Sequence, residues 1–131
     1  MSRRDKRFEY LASVDRAGRA HAQEGSPIDL AEAWTPEHLV LAGLVACTIE
    51  SLRHHAGRAG LALAAAGSAH GTVARREDDG RFAFVEVDVR IEAELDPPPE
   101  SLDELLAKAE RDCFVGASLT AKPRYEWAVG G

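Results

Sequence analysis

The chain has 131 residues, two cysteines and a net charge of −6, with a pI near 5.3. This balance argues against nucleic acid as the main partner, because phosphate binding needs a basic face. The length makes a single domain over residues 1–131 the default. No stretch is apolar over the ~20 residues that a bilayer span needs, and no apolar run follows the basic cluster Arg3, Arg4, Lys6, Arg7. The expectation is a cytoplasmic protein with a frayed basic tail and no membrane partner.

Lys6 to Ser13 sets Phe8 and Tyr10 against Arg7 and Glu9, an alternation that predicts a half-buried strand. Asp15-Arg16-Ala17-Gly18 reads as a hairpin turn and Arg19 to Gln23 as the returning strand. Gly25-Ser26-Pro27 breaks the chain, and Ile28 to Ala33 leads into a helix. That helix opens with Thr35 as a candidate N-cap, Pro36 at the first helical position and Glu37 in the first turn. From Leu39 to Ile49 nearly every residue is apolar or small, the mark of a helix buried on all sides. A domain of this size gives such a helix too little cover, so dimerisation is expected to supply it.

Gly57 to Gly60 stops the helix. Leu61 to Ala66 is ambiguous, and Ser68 to Arg76 turns extended. Glu77-Asp78-Asp79-Gly80 reads as a hairpin turn. Arg81 to Leu95 then alternates apolar with charged residues, as a strand with one wet face does. Asp96-Pro97-Pro98-Pro99 ends it. Ser101 and Glu104 form a candidate capping box for a second helix with Leu102, Leu105, Leu106 and Ala109 on one side. This helix delivers Cys113. Phe114 to Leu119 adds a further turn, and Arg124 to Val129 a last strand with Tyr125 and Trp127 on one face. The order predicts an α+β domain.

Few residues are placed for chemistry. There is no phosphate loop, H-E-x-x-H or C-x-x-C. His54 and His55 are adjacent, so on a helix they diverge, and both read as solvated side chains; no metal site is expected. No serine has a nucleophile-elbow setting. Trp34 and Trp127 read as packing residues, and Glu86, Asp88, Glu92 and Glu94 as a solvated strand face. The two cysteines remain. Cys47, inside the apolar helix, is either a small buried hydrophobe or a reactive thiolate. A thiolate there needs a cation, with Arg16 or Arg19 as candidates and Glu37 to orient it. Glu37 and Cys47 lie roughly 15 Å apart along one helix. A shared site therefore needs two antiparallel copies of the helix, one from each subunit.

The stretch T-P-E-H-L-V-L-A-G-L-V-A-C-T resembles the N-P-E-x-L-x-x-A-x-x-x-A-C-F motif of the OsmC/Ohr family of thiol-dependent hydroperoxide reductases. A-K-A-E-R-D-C-F-V-G-A-S-L-T-A is similar to the family's second motif, A-x-x-x-C-P-V-S-x-x-L-x-A. The resemblance implies an OsmC-like fold, antiparallel sheets around a long buried central helix, in an intertwined homodimer with its sites at the interface. It implies that Cys47 attacks the peroxide and becomes a sulfenic acid, that Cys113 resolves it to a disulfide, and that an external dithiol, such as a lipoyl thiol, reduces it without a bound cofactor. Glu37 falls on the motif's glutamate. D-R-A-G-R-A is similar to the family's G-R-D-G-R-A, which favours Arg16 over Arg19.

Apolar candidates for the substrate wall are Leu39, Leu44, Val45, Phe114, Val115 and Leu119, which suit organic hydroperoxides before hydrogen peroxide. The chain departs from the family pattern at Phe114, where proline is common, at Gly116, where serine stands, and in a shortened segment between Arg16 and Glu37. Two other readings compete: a non-catalytic dimer binding a small hydrophobic ligand, and an oxidant sensor that forms its disulfide once per reduction.

Overall fold

The structure, a computed structural model, describes residues 7–17, 19–23, 25–30 and 34–130. The chain divides into two compact units, Met1–Glu37 and His38–Gly131. The first holds a small antiparallel sheet in the order β1 (Ala12–Val14), β2 (Arg19–Ala22), β3 (Ile28–Asp29). The strand expected over 6–13 forms only at its end, because β2 pairs only with Ala12 to Val14. Phe8 and Tyr10 stand before it, exposed. The Asp15 carboxylate closes the β1–β2 turn, accepting from the backbone N–H of Ala17 at 2.9 Å and of Arg19 at 3.0 Å. Gly18 of that turn, residues 31–33 of the helix lead and basic residues Arg3, Arg4 and Lys6 lie outside the described residues.

The second unit is built on α1 (Pro36–Arg58), β4 (Ala62–Arg75), β5 (Phe82–Asp96), α2 (Leu102–Arg111), α3 (Phe114–Ser118) and β6 (Arg124–Gly130). The ambiguous stretch after Gly60 is the start of β4. This strand and β5 form a long antiparallel hairpin, and its tip uses Gly80 at φ 70°, a left-handed position that suits glycine. The α+β class holds, with one difference from wholly antiparallel sheets. β6 pairs parallel to β5, because α2 and α3 carry the chain back across before it re-enters the sheet.

The apolar alternation of β5 changes phase once. Val87, Val89, Ile91, Ala93 and Leu95 are buried, whereas Phe82 and Phe84 occupy even positions. The register absorbs the change: Thr72 pairs with Glu86 and Val73 with Phe84, which leaves Val85 as the extra residue of a bulge. The consecutive Phe84-Val85 pair is the trace of that bulge in the sequence.

α1 lies on the sheet over small residues of β4. A Cβ built on Gly67 would come 2.6 Å from Ile91 Cδ1 and 3.3 Å from Val45 Cγ1; one on Gly71 would come 2.6 Å from Phe84 and 3.1 Å from Leu41. These glycines let helix and strand approach closely. Only one face of α1 is fully buried in this chain, carrying Leu44, Thr48, Ser51, Leu52 and Ala56. Val40, Ala42 and Ala46 are exposed, so the all-round burial expected from the sequence is not reached by one copy. Leu105 and Ala109 of α2 join the core beneath Leu52 and Ala56. The capping box does not form: Ser101 makes no side-chain cap bond, and α2 opens instead with the Leu105 N–H donating to the Ser101 carbonyl at 3.2 Å. No described helix is long and apolar enough to cross a membrane.

Candidate functional site

α1 carries Cys47 to the backbone of Phe114 and Val115, and the end of α2 carries Cys113 to the same place. Two polar ties hold the helices together there. Ser51 Oγ donates to the Ala109 carbonyl at 2.8 Å, and His55 Nε2 meets Asp112 Oδ2 at 2.7 Å. His55 is thus a partly buried tether and not the solvated side chain expected, while its neighbour His54 is exposed. The Arg111 guanidinium first, and His55 after it, hold the Asp112 carboxyl well below its ordinary range. Asp112 is the residue before Cys113, so this pairing fixes the approach of the second thiol.

Both cysteines are free; Cys47 is half-buried and Cys113 has no exposed surface. Their side chains interact directly. Burial lifts the Cys47 thiol above its ordinary value; the backbone N–H groups of Val115 and Phe114 oppose that lift, and the Cys113 sulfur adds to it. Phe114 and Val115 therefore face Cys47 through their backbone as well as flanking it in the chain. Thr48 Oγ1 lies 3.5 Å from Cys113 Sγ and donates to the Leu44 carbonyl at 2.8 Å. The Tyr125 hydroxyl reaches in from β6 to the same place: it lies 2.7 Å from where a Cβ on Gly116 would stand, and Cys113 Sγ lies 3.5 Å from that point.

The two cysteines are thus brought together, as are Leu44, Phe114 and Val115. Leu44 is fully buried, a floor beneath Cys113 and not an open wall; Phe114 is 56% exposed; Leu39 and Val115 are half-buried. Glu37 stands in the first turn of α1, and the helix runs on unbroken to Cys47, so one copy does not bring the two together. Arg16 sits exposed at the tip of the β1–β2 turn, in the first unit. Among the described residues no three His, Cys, Asp or Glu side chains gather to hold a metal.

Sequence reasoning missed Thr48, Tyr125 and the His55–Asp112 pair. For Thr48 a signal existed: it is the one hydroxyl in the apolar run from Leu39 to Ile49. Tyr125 carries no such mark, since an aromatic on a strand reads as packing.

A family model described as OsmC-like protein matches residues 29–128. Among curated proteins none matches this chain in sequence. Solved structures do resemble it. An OsmC-like protein of unknown function from Vibrio cholerae superposes with a TM-score of 0.78 at 16% identity, covering 92% of this chain and 99% of that one. An OsmC-like protein from Mycoplasma pneumoniae gives 0.67 at 18% identity, covering 96% and 97%. An organic hydroperoxide resistance protein from Legionella pneumophila gives 0.62 at 21% identity, covering 95% and 98%. At these identities the likeness is one of fold.

Proposed function

Because this chain belongs to the OsmC-like protein family, we propose that it is a thiol-dependent peroxidase that reduces organic hydroperoxides through its two cysteines. The observation that carries the reading is the pairing of a half-exposed Cys47 with a fully buried Cys113. The accessible sulfur is suited to meet a peroxide and the sheltered one to close on it. That solved neighbours include an organic hydroperoxide resistance protein supports the same reading.

The Cys47 thiolate attacks the terminal peroxide oxygen, the O–O bond breaks, and the alkoxide leaves with a proton as alcohol. Cys47 is then a sulfenic acid, and Cys113 displaces its hydroxide to form the disulfide and water. An external dithiol, of the lipoyl type, reduces the disulfide by exchange. The step with the greatest need is the first. Burial holds Cys47 mostly as thiol, so a cation must stabilise the thiolate. We assign that role to Arg16, oriented by Glu37, within a homodimer whose antiparallel central helices bring the Glu37 of one copy toward the Cys47 of the other. Exposed Val40, Ala42 and Ala46 on α1 leave a face for such a partner.

The raised Cys47 thiol favours one other reading, an oxidant sensor that closes its disulfide once per reduction. Turnover separates the two. With a lipoyl dithiol present, cumene or tert-butyl hydroperoxide should be consumed over many cycles by the wild type, and Cys47→Ser should abolish consumption. A single equivalent consumed per reduced chain would replace the peroxidase with the sensor, and no consumption while both thiols titrate would sink both.

A further inference from the structure

We propose that Thr48 and Tyr125 act as a hydroxyl pair that positions the Cys113 sulfur for disulfide closure onto Cys47. This rests on the two-cysteine reading above and goes beyond it, since it names the groups that make a sheltered sulfur competent.

Cys113 has no exposed surface, and its sulfur and Leu44 Cδ1 each lie 3.5 Å from where a Cβ on Gly116 would stand. A sulfur there receives no help from water, so its S–H and the electron pair it must deliver have to be oriented by protein groups. Two hydroxyls meet it. Thr48 Oγ1 is 3.5 Å away, and its own proton is engaged by the Leu44 carbonyl at 2.8 Å, which fixes its rotamer and leaves a lone pair to accept the Cys113 S–H. The Tyr125 hydroxyl lies beside that sulfur across Gly116, and both Cys113 and Thr48 act on its ionisation. Burial first, and the Cys113 sulfur next, push Tyr125 up to about 12, so it remains an O–H donor at neutral pH.

Room for that hydroxyl is made by Gly116, where a Cβ would come 2.7 Å from the Tyr125 oxygen and 3.5 Å from Cys113 Sγ. Thr48 and Gly116 stand where the two quoted motifs carry phenylalanine and serine, and both differences converge on Tyr125. In the closing step the Cys113 sulfur attacks the Cys47 sulfur, the S–O bond of the sulfenic acid breaks, and the departing hydroxide takes the Cys113 thiol proton as water. No further oxidant enters. As the proton leaves, the Tyr125 O–H is placed to donate to the sulfur.

The test measures disulfide closure by two routes in wild type, Tyr125→Phe, Thr48→Val and Thr48→Ser. One equivalent of cumene hydroperoxide with dimedone present reads the partition of oxidised Cys47 between trapped sulfenic acid and disulfide. Diamide, which adds to one thiolate and is displaced by the second as the hydrazine, closes the same disulfide without peroxide. Tyr125→Phe, which removes the O–H beside the sulfur, and Thr48→Val, which removes the acceptor that aims its S–H, should each slow closure about tenfold by both routes, the scale of one polar contact to the reacting sulfur, and raise the dimedone-trapped fraction. Thr48→Ser should stay within about twofold of wild type, because it keeps the hydroxyl.

Closure at the wild-type rate in Tyr125→Phe and Thr48→Val overturns the proposal. So does a Thr48→Ser protein as slow as Thr48→Val, which would make the effect one of packing. If Thr48→Val does not fold, Tyr125→Phe, which removes one oxygen and keeps the ring, decides alone. A wild type that ignores hydroperoxide while diamide closure shows the expected pattern refutes the peroxidase reading and leaves the positioning role established.

Discussion

Gly116→Ala and Tyr125→Phe form a double-mutant cycle whose outcome follows from one distance. A methyl group at Gly116 would lie 2.7 Å from the Tyr125 oxygen, well inside the 3.4 Å at which ordinary contact begins. The oxygen must retreat by about 0.7 Å, which carries it away from its polar neighbours Thr48 and Cys113. Moving the hydroxyl off these polar neighbours costs about 1 kcal/mol and crowding a packed site adds about 1–3 kcal/mol. Against this, Gly116 lies inside α3 without a positive φ, so alanine gains roughly 0.5–1 kcal/mol of helix propensity. The net expectation with tyrosine at 125 is a loss of about 2 kcal/mol. With phenylalanine there the oxygen is gone, and the remaining ring atoms lie no nearer than the 3.5 Å of the third-nearest atom. Gly116→Ala should then be neutral or slightly stabilising. Urea denaturation of the four reduced proteins at one fixed concentration measures the coupling, expected at about 2 kcal/mol. Penalties that add to within about 0.5 kcal/mol would show that Gly116 is not holding space for this hydroxyl.

Three further outcomes are expected. The folded Asp112 carboxyl lies below its ordinary value of 3.8, so it contributes stability above that value and loses the contribution as pH falls through the lower folded value. Asp112→Asn should therefore melt below wild type at neutral pH, with the gap closing under acid; an unchanged gap at pH 2 to 3 would contradict the pairing with Arg111 and His55. Cys47 is raised by burial first and by the Cys113 sulfur as well, so Cys113→Ala should lower the pH midpoint of Cys47 alkylation by iodoacetamide without taking it to that of a thiolate at neutral pH. A midpoint that stays or rises would mean the sulfurs do not interact. Gly67→Ala forces a methyl within 2.7 Å of the Arg90 carbonyl on β5 and should cost about 1–3 kcal/mol; Gly57→Ala, with nothing within 4 Å, should not, and equal melting points would refute the close-approach account of β4.

What the sequence displays and what it conceals divide along a physical line. Covalent neighbours and periodicity speak through composition, so Pro36 opening α1, the alternation of β5 and the proline stop after Asp96 are all legible. A ladder needs a partner, and nothing in Phe8 to Leu11 says that β2 ends too soon to pair with it. The same holds for the site. The two cysteines are legible because each sits in a patterned segment, but whether they meet depends on how α2 returns over α1, and that return is fixed by Ser51 and by His55 with Asp112. His55 reads as a wet residue at a helix end until its carboxylate partner, distant in sequence, arrives. Thr48 is the instructive case. A hydroxyl inside an otherwise apolar buried run must either satisfy itself on its own helix or serve a neighbour. Bonded to Leu44, it has done the first, and a lone pair left over faces the Cys113 sulfur, which has no exposed surface. Burial of Cys113 and polarity at position 48 therefore explain one another: an apolar residue at 48 would take away the acceptor 3.5 Å from that sulfur, and an exposed sulfur could turn to water instead.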